Sequence, residues 1–267
     1  RIRARAEKGE KSILLVPEQF TSSTEGRIYR ELGDALSGMV ESFSFTSLAE
    51  KILSTEGGAA VQTLSDAGRA VLVRRALEEL QDNVHYYHRH RRSAAFCQMA
   101  AQTIDELKSA GLSGQQLAQL AGACGAESGK LSELALIFQG YETLLARSGM
   151  DPSDRLELAG ARLEEALARH SLPEFLRDRA VFIDEFDTFN APKKRLLGAM
   201  LAALPSVTVA LCDDGAPLLP GDLSLFSGAK QVAAQLRQLA RRNGTAVAVP
   251  ELLRRDVRHA DAPGLAA

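Results

Sequence analysis

The residues best suited to chemistry are two carboxylates at the end of an apolar run. AVFI (180–183) is followed by Asp184-Glu185 within AVFIDEFDTF (180–189). In open α/β sheets ligands sit beyond the carboxyl ends of the strands. A carboxylate there can hold Mg²⁺ through water, and a neighbouring Glu can orient an attacking water, as in the Walker B arrangement of nucleotide hydrolases. The same two residues also suit a strand-end carboxylate that caps the next helix, because four apolar residues followed by DE is a common string. The partner motif G-x-x-x-x-G-K-[ST] is absent. The nearest stretch, GAESGKL (125–131), ends in Leu, follows a helical pattern and spaces its glycines wrongly.

A second concentration of chemistry is HYYHRHRR (85–92), with three His, three Arg and two Tyr. Tyr and Arg can stack on bases or meet phosphates. The three His lack a nearby acidic or Cys ligand, which argues against a metal. A solvated connection between helices is the plainer reading of this stretch.

The elements that must position these groups follow from periodicity. SILLV (12–16), stopped by Pro17, is a short apolar run suited to a strand covered on both faces. Ser22 and Glu25 have capping-box spacing, so a helix is expected to open there. MVESFSF (39–45) reads as a second strand, and Ser47 with Glu50 as the cap of the helix SLAEKIL. From about residue 61 strand-like runs vanish and amphipathic helices follow one another, with apolar residues at i, i+3, i+4. Strands return at AVFI, at VTVALC (207–212) and, more weakly, at TAVAV (245–249). Helices are expected at 192–204 and about 229–242, the latter closed by Asn243-Gly244 with Arg241-Arg242 facing its C-terminal dipole. The expected architecture is α/β, a parallel sheet formed by 1–60 and 176–267, interrupted by a helical insertion over 61–175. The tail DAPGLAA (261–267) reads as frayed.

Composition narrows the function classes. The chain has 267 residues, 32 Lys+Arg against 34 Asp+Glu and a net charge of −2, which excludes a strongly basic nucleic-acid coat but not a local basic track. Cys97, Cys124 and Cys212 are too few and too scattered for a disulfide scaffold; a reducing cytoplasm and helix-packing roles are expected. No apolar run reaches the length of about 18–20 residues that a membrane helix needs. The chain opens at Arg1 without Met, in helix-like sequence, and is read as a fragment.

The ordered set ILLVPEQFTSSTE, ESFSFTSLAEKIL with Gly57-Gly58, a helical block, VFIDEFDTFNAPKKRLLGAML, VTVALCDD and LFSGAKQVAAQLRQLARRNG resembles the N-terminal region of the B subunit of the bacterial AddAB (RexAB) ATP-dependent helicase–nuclease. The resemblance spans nearly the whole chain. It implies a P-loop NTPase fold, that of a superfamily 1 helicase first domain, with a helical subdomain inserted before the Walker B strand. It implies a role in double-strand DNA break repair and recombination, with a degenerate helicase-like domain that contacts single-stranded DNA. The implied partners are DNA ends, single- and double-stranded, and the A subunit that carries the motor. No cofactor is expected in this chain. Mg-ATP is implied for the full-length protein through Asp184 if a P-loop lies upstream, and an iron–sulfur cluster only in the C-terminal region outside this chain.

Carried over residue by residue, VPEQFT (16–21) looks like helicase motif Ia, with Gln19 and Thr21 as donors to phosphate or to a base edge. Thr21 and Ser22 could equally cap a helix. SFSFT (42–46) matches the next DNA-facing motif, with Thr46 beside an aromatic that could stack on a base. Strand alternation sends one of Phe43 and Phe45 into the core, and Phe45, nearer the strand end, is expected to face DNA. The family's Arg and Trp after this aromatic are replaced by Ser47 and Glu50, and Glu50 near a phosphate would repel it. Asp184-Glu185 stands where the family often has Asp-Gly, and Asp213-Asp214 where active motors carry a nucleotide-sensing Gln; the latter reads as degeneration or a turn. Three readings follow: a DNA-gripping subunit domain, inactive alone; an active helicase domain whose P-loop precedes Arg1; and a docking scaffold without ligand.

Overall fold

In the computed structural model the described residues are 1–80, 82–125 and 128–253, so the expected frayed tail at 261–267 lies outside them. Four strands form one sheet in the order β2-β1-β3-β4: β1 (Ser12–Leu15), β2 (Val40–Phe43), β3 (Ala180–Ile183) and β4 (Ser206–Val209). Every pairing is parallel, with Leu15 opposite both Phe43 and Ile183. All four residues of β1 are buried, as a central strand covered on both faces requires.

Alternation along β1 divides two cores. Leu14 and Val16 pack with Val40 against Ile28 and Leu32 of α2 (Thr21–Leu32) and Ile2 of α1 (Ile2–Ala6). Ile13 and Leu15 face the larger core with Val181 and Ile183, closed by α4 (Phe45–Glu56), α9 (Pro152–Ala168) and α10 (Ala191–Ala203). The short α3 (Asp34–Ser37) returns the chain to β2, and α11 (Ser227–Arg242) leans on α10.

The helical insertion has a core of its own. Leu72, Val73 and Leu77 of α5 (Asp66–Glu79), Ala100, Ala101 and Ile104 of α6 (Ala94–Ser109), Leu117 of α7 (Gly114–Ala121) and Ile137, Phe138 and Tyr141 of α8 (Ser128–Ser148) bury one another. The expected helical segment over 61–175 includes α9, yet Leu156, Ala159 and Leu163 of α9 belong to the core beneath the sheet. By packing, the self-contained helical unit is α5–α8. A polar junction ties it to α9: Tyr141 donates to Asp151 at 2.6 Å, and Lys108 bridges Asp151 and Asp154 at 2.7 Å each. Burial lowers the Lys108 pKa, but these two carboxylates outweigh it and hold the ammonium above its usual value.

Three local expectations are corrected. The helix after β1 opens at Thr21 without a side-chain cap, because a 3₁₀ turn at Glu18–Phe20 runs straight into it; neither Ser22 nor Thr21 serves as the cap. The helix after β2 is capped three residues earlier than the Ser47–Glu50 spacing predicts: Ser44, extended at the strand end, accepts from the Ser47 N–H, and Ser47 returns the bond. Residues 245–249 form no strand; Val249 is 91% exposed, with nothing to bury it against.

Candidate nucleic-acid interface

Because all four strands run the same way, their carboxyl ends open on one side, where the loops carrying the expected site residues gather. Pro17 ends β1, and the 3₁₀ turn that follows leaves Gln19 exposed and Thr21 half-buried. The Thr21 hydroxyl donates to the Glu18 carbonyl at 3.1 Å. Thr46, exposed in the first turn of α4, donates to Glu18 Oε1 at 2.7 Å. That bond joins the loop after β1 to the turn after β2. Partial burial raises the Glu18 pKa, but the Thr46 hydrogen bond and the charge of Lys193 outweigh it, so the carboxyl is held below its usual range.

Phe45 does not face solvent. β2 ends at Phe43 and Ser44 turns the chain, so Phe45 is the first helical residue and strand alternation no longer governs it. Its ring is fully buried, edge-on to Phe186 at 5.3 Å and to Phe189 at 6.0 Å. Phe43 is half-buried against Phe175. The expectation of Phe45 as a stacking surface is therefore corrected. The group above its ring is Lys193, near the start of α10, whose Nζ lies 5.7 Å from the Phe45 centroid and 5.3 Å from that of Phe186. Asn190 caps that helix by accepting from the Lys193 N–H at 3.1 Å.

The carboxylate pair ends β3 as expected. Asp184 Oδ1 accepts from the Glu185 N–H at 2.9 Å, and Glu185 adopts φ = 64°, a left-handed conformation uncommon outside glycine. Arg27 of α2 faces both, 3.4 Å from Glu185 and 3.9 Å from Asp184. A guanidinium thus faces both carboxylates, and among the described residues no third carboxylate, His or Cys joins them in a group that could hold a metal.

Glu50 does not present a free negative charge. Arg155 of α9, itself buried, forks onto both Glu50 carboxylate oxygens and donates to the Val61 carbonyl at 2.6 Å. Asp213 and Asp214 form turns, accepting from the Gly215 N–H at 3.1 Å and the Ala216 N–H at 2.9 Å. The Ala216 N–H and then Lys230 hold the Asp214 carboxyl below its usual pKa. Of the cysteines only Cys97 is buried. Among the described residues no group of His, Cys, Asp and Glu could hold a metal, and no helix is long and apolar enough to cross a membrane.

The structure links Thr21 and Thr46 to Glu18, next to Gln19, and pairs Asp184 and Glu185 with Arg27. Sequence reasoning missed Glu18, Lys193, Arg27 and Arg155. Glu18 was legible from its place in VPEQFT; Arg27 and Arg155 act on partners 158 and 105 residues away, which no local pattern marks, and Lys193 sits over distant Phe45 as well as nearby Phe186.

The sequence profile described as ADDB, N-terminal, matches residues 1–267. The chain belongs to that family. Three relatives are each named as the B subunit of an ATP-dependent helicase/deoxyribonuclease. That from Desulforudis audaxviator is 33% identical over 92% of this chain and 21% of its own length. The Moorella thermoacetica protein is 32% identical over 92% of this chain and 22% of its own, and the Clostridium perfringens protein 30% over 88% and 20%. The chain thus spans about a fifth of the relatives it matches, as expected of an N-terminal portion of such a protein.

Proposed function

We propose that this chain is the N-terminal, helicase-like portion of the B subunit of an ATP-dependent helicase/deoxyribonuclease acting in double-strand DNA break repair, and that it grips single-stranded DNA without driving it. The observation that carries this reading is the bridged pair of loops at the carboxyl end of the sheet. The Glu18–Thr46 bond holds Gln19 beside the start of α4, with Lys193 fixed over Phe45 and Phe186.

Its residues divide the work. Gln19, exposed on a tight turn, is the group able to meet a base edge or phosphate, since its amide can both donate and accept. Lys193 supplies a cation beside the loop, and Glu18 spaces the two by binding Thr46. A P-loop NTPase-like sheet and an A subunit as partner belong to the same reading. Mg-ATP would supply hydrolysis in such an enzyme, but Asp184 and Glu185 face Arg27, and no step is assigned to them.

Fluorescence anisotropy of a ~20-nucleotide single strand, titrated with salt, tests this. The expected result is salt-sensitive binding that weakens by roughly fivefold in Gln19→Ala and in Lys193→Gln. Absence of binding at low salt would overturn it in favour of a docking scaffold.

A further inference from the structure

The segment joining α5 to α6 is built more firmly than a solvated connection needs. Glu133 of α8 is buried, and its carboxylate accepts from three consecutive N–H groups: His85 at 2.8 Å, Tyr86 at 2.9 and 3.0 Å, and Tyr87 at 3.2 Å. A carboxylate that takes three backbone donors is well satisfied, and it fixes the path of those three residues. The Tyr87 ring stacks on Phe96 at 5.3 Å, and His90 lies 5.6 Å from the same ring. A 3₁₀ turn at His88–His90 completes the segment.

What this frame holds outward is basic and aromatic. Tyr86 is 57% exposed. A Cβ on Gly129 of α8 would sit 3.1 Å from Tyr86 Cε2, so one side of the ring is backed by the helix because residue 129 is glycine. His85, His88, Arg89, His90 and Arg92 are exposed, and residues 85–92 contain no acid. Arg91 turns back onto His88. Among the described residues Arg89 and Arg92 have no ion-pair partner, whereas Arg69, Arg74 and Arg75 of the neighbouring α5 are each paired with a carboxylate.

We infer that residues 85–92 form a second single-stranded nucleic-acid contact on the helical unit, in which Tyr86 stacks a base and Arg89 and Arg92 meet the flanking phosphates. A backed aromatic beside unpaired arginines is the combination that binds strands without reading their sequence. An acidic protein segment would use the arginines but has no need of a backed ring. The choice of probe rests on the proposed function; the loop and its residues do not.

The test uses the same anisotropy measurement with an oligo-thymidine of ~20 nucleotides, on the wild type, the Arg89→Glu/Arg92→Glu double variant, Tyr86→Ala and, separately, Gln19→Ala. All are at exposed positions, and far-UV circular dichroism verifies that they fold. The double variant is expected to weaken binding at least tenfold and to flatten the slope of log K against log salt by about 1.4, for two phosphates at about 0.7 each on a single strand. Tyr86→Ala is expected to weaken binding about fivefold or more with the slope unchanged. Loss confined to Gln19→Ala would overturn this inference and leave the sheet-end reading standing. Loss confined to the loop variants would do the reverse. No binding by the wild type would overturn both. Poly-glutamate competing as well as DNA, with Tyr86→Ala silent, would overturn the nucleic-acid assignment in favour of an acidic protein partner.

Discussion

The loop after β1 and the segment between α5 and α6 are both short, polar and exposed, and each is fixed by a glutamate, but in opposite ways. At the sheet end charged side chains hold one another. Glu18 takes the Thr46 hydroxyl, Asp184 and Glu185 face Arg27, Glu50 is forked by Arg155, and Asp214 pairs with Lys230. In the segment 85–92 the glutamate comes from beneath and takes only backbone, so it uses none of the segment's side chains, and among the described residues Arg89 and Arg92 form no ion pair. Charge spent on holding a loop is not open to a ligand. The sheet end therefore offers a ligand a neutral amide and one ring-mounted lysine, while the helical unit offers arginines.

The largest effect expected is on the aromatic floor of the sheet end. Phe45→Ala removes a fully buried ring from between Phe186 and Phe189 and should cost about 3–5 kcal/mol, read by urea denaturation. A cost below about 1 kcal/mol would mean that Phe45 is exposed after all, and the contrast between a closed sheet end and an open helical loop would fail. Any loss of DNA binding in this variant should track loss of fold, so it is a poor probe of contact.

Next comes the frame of the basic segment. Glu133→Gln keeps one acceptor oxygen but removes the charge and the second acceptor for the three N–H groups. It should cost about 1–3 kcal/mol. The informative readout is local: amide hydrogen exchange at 85–87 should quicken while the strands β1 and β3 stay protected. Unchanged exchange there would show that the Tyr87–Phe96 stack, not Glu133, fixes the segment.

How much of this was legible in advance depended on range. The run SILLV, the AVFI strand and the helix ending at Asn243-Gly244 carry their structure in local pattern, and all three form as the pattern predicts. Family membership was also legible, from the order of weak motifs. The strand at 245–249 failed because alternation cannot reveal whether a surface exists to cover it. Phe45 failed because one residue, Ser44, decides whether strand or helix geometry applies, and both are compatible with FSFTS. Glu133 and Arg155 were invisible because their partners lie 46–48 and 105 residues away in sequence. Such pairs are written by topology, not by spacing.

The smallest expected effect belongs to Arg27. Its contacts to Glu185 and Asp184 are 3.4 and 3.9 Å, and all three side chains are between one-third and one-half exposed. Water and salt screen such a pair, so Arg27→Ala should change stability by only about 0–1 kcal/mol by urea denaturation. The sign of any change sharpens the comparison. Asp184 and Glu185 repel one another across adjacent positions, and Glu185 already sits in a left-handed conformation, so a loss near the top of that range that shrinks as salt is added would show that Arg27 holds the strand end by charge. A change of zero at every salt concentration would mean that Asp184 is held by its bond to the Glu185 N–H alone. The sheet end would then have one guanidinium free, as the helical segment has two, and the difference between the regions would be one of degree.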